Sequence, residues 1–164
     1  MATNAPFGKI DIRELVRLQD KLKLSGHAQL VLLELLCGRH QNMIGFYKVD
    51  FMHAVIAKHL RLEVSEVQQA FAELQKGDLI AYDPESEVVL IKEKFRHSGL
   101  QNKSMATKAC YVLSTVPDNS LFEEFASLVA DYIQKHERTE IQTSKEYKNG
   151  KPSDWYKSLY STLI

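Results

Sequence analysis

Residues 61–92, RLEVSEVQQAFAELQKGDLIAYDPESEVVLIK, decide the fold. Val67, Ala70, Phe71 and Leu74 recur at i, i+3, i+4 and i+7, which lines one side of a helix with apolar groups. Ser65 with Gln68 has the form of a capping box at its start, and Gly77 stands where such a helix ends. Two β-branched runs follow, Leu79–Tyr82 and Val88–Lys92. Asp83-Pro84-Glu85-Ser86-Glu87 between them is turn chemistry, so the pair reads as a hairpin.

Toward the N-terminus lies a second amphipathic helix, Phe51–Leu60, with Asp50 as its cap. Phe51, Met52, Val55, Ile56 and Leu60 share its apolar face. A short extended piece, Met43–Val49, precedes it. Before that, a helix opened by Ser25 runs to Cys37 and is apolar nearly all round, the pattern of a buried helix. Helix, strand, helix, helix, hairpin over residues 25–97 is the order of a winged helix-turn-helix.

Residues 1–24 read as a helical arm. Asp11 and Glu14 open it, Ile12, Leu15, Leu18 and Leu22 line one side, and Arg13, Arg17 and Lys21 line another. Beyond the hairpin, Lys92–Asn102 reads as a polar, basic connector. A helical pair follows within 98–136. Its first helix carries Met105, Ala106, Ala109, Cys110 and Leu113 and is ended by Pro117-Asp118-Asn119. Its second is opened by Ser120 with Glu123 and carries Leu121, Phe122, Phe125, Leu128, Val129, Tyr132 and Ile133. Residues 137–164 read as a polar linker, with a turn at Asn149-Gly150-Lys151-Pro152, leading to a short aromatic segment. The expected class is mainly α with a small β-hairpin: a winged helix-turn-helix followed by two or more helices.

The chain has 164 residues, 45% hydrophobic and 26% charged, the balance of a soluble globular protein. Lys plus Arg equals Asp plus Glu at 21 each, so any pull on nucleic acid must come from a local patch. The run Leu30–Cys37 is far too short to span a bilayer, and the N-terminus lacks the layout of a signal peptide. Cys37 and Cys110 lie on apolar faces of predicted helices and read as two buried free thiols in a reducing cytoplasm.

No catalytic constellation is present in the sequence. The histidines at 27, 40, 53, 59, 97 and 136 are scattered, and His53 and His59 fall on different faces of their helix. There is no Gly-rich phosphate loop, no G-x-S-x-G and no Cys-x-x-Cys. A binding protein without metal or cofactor is expected, not an enzyme.

In a DNA-reading wing fold the third helix enters the major groove. Its exposed face here is Gln68, Gln69, Ala72, Gln75 and Lys76, and glutamine can bond adenine in bidentate fashion. Charge opposes that role. Arg61 to Leu90 carries two bases (Arg61, Lys76) against seven acids (Glu63, Glu66, Glu73, Asp78, Asp83, Glu85, Glu87), a net of −5. Lys92, Lys94, Arg96, Lys103 and Lys108 then stand against Glu93, a net of +4. That run is either a solvated connector or a strip that tracks phosphates with little sequence preference. The C-terminal segment mixes Tyr147, Trp155, Tyr156 and Tyr160 with Lys145, Lys148, Lys151 and Lys157. Such a mixture can stack single-stranded bases, or the aromatics can pack on the core or on a second subunit. Phe46, Tyr47, Trp155 and Tyr160 are candidate exposed contacts for a partner.

Ile44-Gly45-Phe46-Tyr47, Val64 to Leu74 and Gly77 to Asp83 together resemble the N-terminal winged helix of DnaD-type replication initiators, which include the phage replisome organisers. Val88-Val89-Leu90-Ile91-Lys92, the Asn102-Lys103 helix start and the spacing of Pro117, Leu121 and Phe125 extend the likeness over roughly residues 25–135. The resemblance implies a non-enzymatic protein that binds origin or single-stranded DNA, self-associates and helps recruit a replicative helicase or its loader; a cytoplasmic protein with weak or non-sequence-specific DNA binding is expected. The acidic third helix departs from that pattern and points to self-association or partner binding instead. Two alternatives stand beside it: a transcription regulator reading DNA with Gln68, Gln69, Gln75 and Lys76, and a phage interaction module that binds a host protein and no DNA.

Overall fold

Ser25 opens the first helix, as its hydroxyl leads one to expect. In the computed structural model, which describes residues 16–17, 20, 22–117, 119–143 and 150–164, Ser25 Oγ accepts from the Ala28 amide at 3.2 Å and starts α1 (Gly26–Cys37). The elements β1 (Phe46–Lys48), α2 (Met52–Leu60), α3 (Val64–Lys76), β2 (Ile80–Asp83) and β3 (Val88–Ile91) follow. Ser25 also donates from its N–H and hydroxyl to the two oxygens of Glu73, at 2.6 and 2.7 Å, which ties the start of α1 to α3. Of the expected arm, Asp11, Ile12, Arg13, Glu14, Leu15, Leu18 and Lys21 lie outside the described residues. Leu22 packs against the core.

The three strands form an antiparallel sheet in the order β1-β3-β2. Tyr47 and Tyr82 both stand opposite Val89, so β3 is central and all four of its residues are buried. Gly45 makes the entry to β1 possible. Its φ is +96°, and a Cβ there would sit 2.7 Å from the Ile91 carbonyl. The core joins Val31, Leu32 and Leu35 of α1, Met52 and Ile56 of α2, and Val67, Ala70, Phe71 and Leu74 of α3 to Val89 and Ile91. The periodicity of α3 is thus borne out residue by residue.

Both helix starts differ from expectation. α2 is capped by Phe51, not Asp50. Phe51 has a left-handed backbone (φ 58°, ψ 45°) and turns away from the apolar face it was expected to share. α3 begins at Val64, with Glu63 as cap, and Ser65 and Gln68 lie inside it. Glu63 donates its N–H to Glu66 Oε2 at 2.8 Å, and a carboxylate is the stronger acceptor for that reciprocal bond than the Gln68 amide.

The expected connector is also a helix, α4 (Lys92–Ser98), in which Lys92, Glu93, Lys94 and Phe95 are buried. Asp78, in a left-handed turn (φ 57°) just past α3, holds it in place. Its carboxylate accepts from Lys92 Nζ and, at 2.7 Å, from Arg96 Nη2. Arg96 Nη1 reaches the Asp78 carbonyl at 3.0 Å and Glu93 Oε1 at 2.6 Å.

The described residues divide into two compact units between Ser98 and Gly99. The second contains α5 (Lys103–Leu113), α6 (Leu121–Thr143) and α7 (Pro152–Tyr160). Asn102 Oδ1 caps α5 by accepting from the Met105 amide at 2.9 Å. Residues 137–143, read as linker, are the last turns of α6. Glu140 accepts from the Ser153 N–H and hydroxyl at 2.9 and 2.7 Å, and Glu137 pairs with Lys157 at 2.7 Å. α7 packs on both α5 and α6, with Tyr156 and Leu159 buried, so the expected division at residues 136 and 137 falls inside one helix of a three-helix unit.

Asp78→Ala takes an acceptor from the buried Lys92 and is expected to cost about 1–3 kcal/mol in urea unfolding. The lower half of that range applies because the Asp78 side chain is 63% exposed. Asp78→Ala/Lys92→Met should recover part of the loss. Hydrogen bonding from Lys92 lowers the Asp78 pKa. Its stabilisation is therefore complete above the unfolded value and is lost as pH falls through the folded one, an acid limb missing in the double variant.

Candidate functional site

The exposed face of α3 is as expected: Gln68, Gln69, Gln75 and Lys76 all face solvent. Its surroundings remain acidic. Glu66 lies 3.8 Å from the His27 ring, and Glu73 is held by Ser25. At the hairpin turn, Asp83 accepts from the Glu85 N–H at 3.1 Å and the Ser86 hydroxyl at 2.9 Å, an Asx-type lock. Glu85 is exposed beyond it.

The basic strip does not exist as a surface. Lys92 and Arg96, one helical turn apart, both reach Asp78. Lys94 is 4% exposed; its Nζ has no hydrogen-bond partner, and burial lowers its pKa. Folding α4 back on the sheet causes all three corrections, because it turns residues of apparent connector inward. Lys103 and Lys108 remain exposed, on α5 of the second unit.

Phe46 and Tyr47 are also corrected. At 2% and 0% exposure they are part of the sheet's packing rather than partner contacts. Burial and the nearby Glu34 push the Tyr47 phenol pKa up. Trp155 is half-buried and lines a groove of about 1040 Å³ with Lys103, Thr107, Cys110 and Ser158. Tyr160, half-buried too, lines a hollow of about 420 Å³ with Phe122, Ala126 and Leu163. Tyr156 is a core residue, and Tyr147, Lys145 and Lys148 lie outside the described residues. Lys151 and Lys157 are exposed, the latter paired with Glu137. Neither cysteine is buried as expected: Cys37 is exposed, Cys110 half-buried, and both are free.

The residue that sequence reasoning missed is Phe51. It is 77% exposed beside the hairpin turn, where Glu87 Oε2 accepts its N–H at 2.5 Å. Helical periodicity places Phe51 with the core, and only its left-handed backbone turns it out. His53, two residues on, is half-buried. Its ring meets Phe71 and Tyr82 edge-on at 4.6 and 5.1 Å, and burial lowers its pKa. Among the described residues no group of three His, Cys, Asp or Glu side chains is placed to hold a metal ion. No described helix is long and apolar enough to cross a membrane.

No family model, curated protein or solved structure matches this chain.

Lys94→Met removes an ammonium that has no hydrogen-bond partner and is expected to stabilise the protein at neutral pH by about 1–3 kcal/mol. The lowered folded pKa of Lys94 means that the unfolded chain holds more protons between it and the unfolded value. Wild-type stability should therefore rise with pH in that alkaline window, and the rise should be absent in Lys94→Met. Urea titrations over that range read both. Lower stability in the variant, with an unchanged slope, would contradict the burial of an unpartnered charge.

Proposed function

We propose that this protein is a non-enzymatic accessory factor of DNA-replication initiation, of the replisome-organiser kind, which acts mainly by contacting other proteins. In this reading residues 25–97 are a winged helix-turn-helix, Asp83 to Glu87 are the tip of its wing, and the protein works in a reducing cytoplasm. The observation that carries the reading is the sheet order β1-β3-β2 closed behind the α2–α3 pair, with α3 presented to solvent. Asn102, Leu121 and Phe125, which carry part of the resemblance, support the reading: Asn102 caps α5, and Leu121 and Phe125 are buried on α6.

Charge decides what the module contacts. With Asp78 bound to Lys92 and Arg96, the other charges from Arg61 to Leu90, two bases against six acids, leave a net of −4. A duplex carrying one negative charge per roughly 1.7 Å is repelled by that face. A transcription regulator reading bases with Gln68 and Gln69 is correspondingly disfavoured. Weak, non-specific DNA binding is assigned to Lys103, which lines the Trp155 groove, and to the exposed Lys108. Leu30, Leu33 and Cys37 form an exposed stripe on α1 suited to self-association, and a helicase or its loader is the partner class the resemblance implies. The internal pairing of Lys92 and Arg96 equally favours the second reading, an interaction module that touches no DNA.

Fluorescence anisotropy of labelled single- and double-stranded DNA across a salt series separates these readings. Weak binding to both is expected, with a dissociation constant of about 10⁻⁶–10⁻⁴ M. Lys103→Ala/Lys108→Ala should lower the salt slope by about 1–2, and Gln68→Ala/Gln69→Ala should change nothing. Sequence-selective duplex binding lost in the glutamine variant would replace this reading with the regulator. No binding even at low salt would leave the interaction module.

A further inference from the structure

Phe51 is the most exposed large apolar side chain among the described residues of the N-terminal unit, and the fold gains little from it. The position is the N-cap of α2, where Ser, Asp or Asn would satisfy a helix amide, and Phe51 makes no side-chain cap bond. Its left-handed backbone costs a non-glycine residue about 1–2 kcal/mol, least for Asn. Asparagine would thus serve the helix better on both counts, while a phenyl ring in water serves it on neither.

The backbone at Phe51 is nevertheless held in place. Glu87, itself left-handed at φ 50°, accepts the Phe51 N–H, and the Asp83 lock fixes the turn from which Glu87 projects. The charge on the segments that meet at Phe51 is mostly negative. The exposed Asp50 precedes it, the half-buried Glu87 bonds its N–H, and the exposed Glu85 lies two residues back on the same turn, whereas Lys48, whose Cα stands opposite Val88, is the base on that side and Lys58 lies further along α2. An exposed aromatic beside acidic side chains has the anatomy of an interface anchor: the aromatic supplies affinity, and the acids supply on-rate and selection of charge.

We propose that Phe51 anchors a docking surface whose occupant is a cationic amphipathic segment of a partner protein. Its apolar face receives the ring, and its Lys or Arg side chains meet Asp50, Glu85 and Glu87. This rests on the reading of the N-terminal unit as a protein-contact module, and it adds the place of contact and the chemistry of the partner.

The test uses the full chain, ¹⁵N-labelled, titrated with a synthetic amphipathic helix of Leu and Lys and with its Leu/Glu counterpart. Amide shifts confined to residues 48–58 and 83–88 are expected for the Leu/Lys peptide, and none for the Leu/Glu peptide. Phe51→Asn should weaken binding about tenfold or more while leaving thermal stability equal or higher. Glu85→Lys, whose side-chain carboxylate takes no part in the Asp83 lock, should weaken it too and make it less salt-dependent. Unchanged affinity in a folded Phe51→Asn, or shifts centred elsewhere, would overturn the proposal. So would a concentration-dependent mass in light scattering that Phe51→Asn abolishes, since the occupant would then be a second copy. The DNA titration probes Lys103 and Lys108 in the other unit, so either experiment can fail without the other.

Discussion

The carboxylate of Asp78 holds the N-terminal unit's charge pattern together. It sits just beyond the C-terminal end of α3, where the helix dipole makes a negative group unfavourable. Lys92 and Arg96 offset both that dipole and the carboxylate, and in doing so they draw α4 against the end of α3. Because β3 runs directly into α4, the same contacts fix the strand at the centre of the sheet. The electrostatic consequence is as large as the structural one. Bases that would otherwise face solvent beside the hairpin are used internally, and the acids on α3 and the turn are left to set the potential of that face.

What was legible in the sequence follows the range of the interactions involved. The buried positions of α3, Val67, Ala70, Phe71 and Leu74, express a local 3.6-residue period, and they were read correctly. So were the Ser25 and Asn102 caps, which depend on amides three residues away. α4 was not legible. Its polar composition makes sense only with Asp78, 14 and 18 residues away from its two partners. Phe46 and Tyr47 are buried because β1 pairs with β3 across more than 40 residues, and no local pattern announces that pairing. The final turns of α6 depend in the same way on Glu140 meeting Ser153. Phe51 failed for the opposite reason: its local period was clear, but one left-handed residue rotated it out of the face it matched.

Function follows that division. Candidate site residues chosen by charge alone, Lys92, Lys94 and Arg96, turned out to be structural, while Lys103, Lys108 and the α3 glutamines stayed on the surface. A helical unit with a small antiparallel sheet and an acidic exposed helix suits protein partners better than a phosphate backbone. The three-helix unit, closed by Tyr156 and Leu159, carries the exposed Lys103 and Lys108 and the Trp155 groove.

The most direct measurement is ¹⁵N NMR of the Lys92 ammonium and the Arg96 guanidinium while a short DNA duplex is added. Resolved, slowly exchanging side-chain signals that the duplex leaves unmoved are the expected result, since both groups are already bound to Asp78. Averaged, fast-exchanging signals that shift with added duplex would show these bases open to phosphate, and would contradict the proposal that this unit contacts proteins.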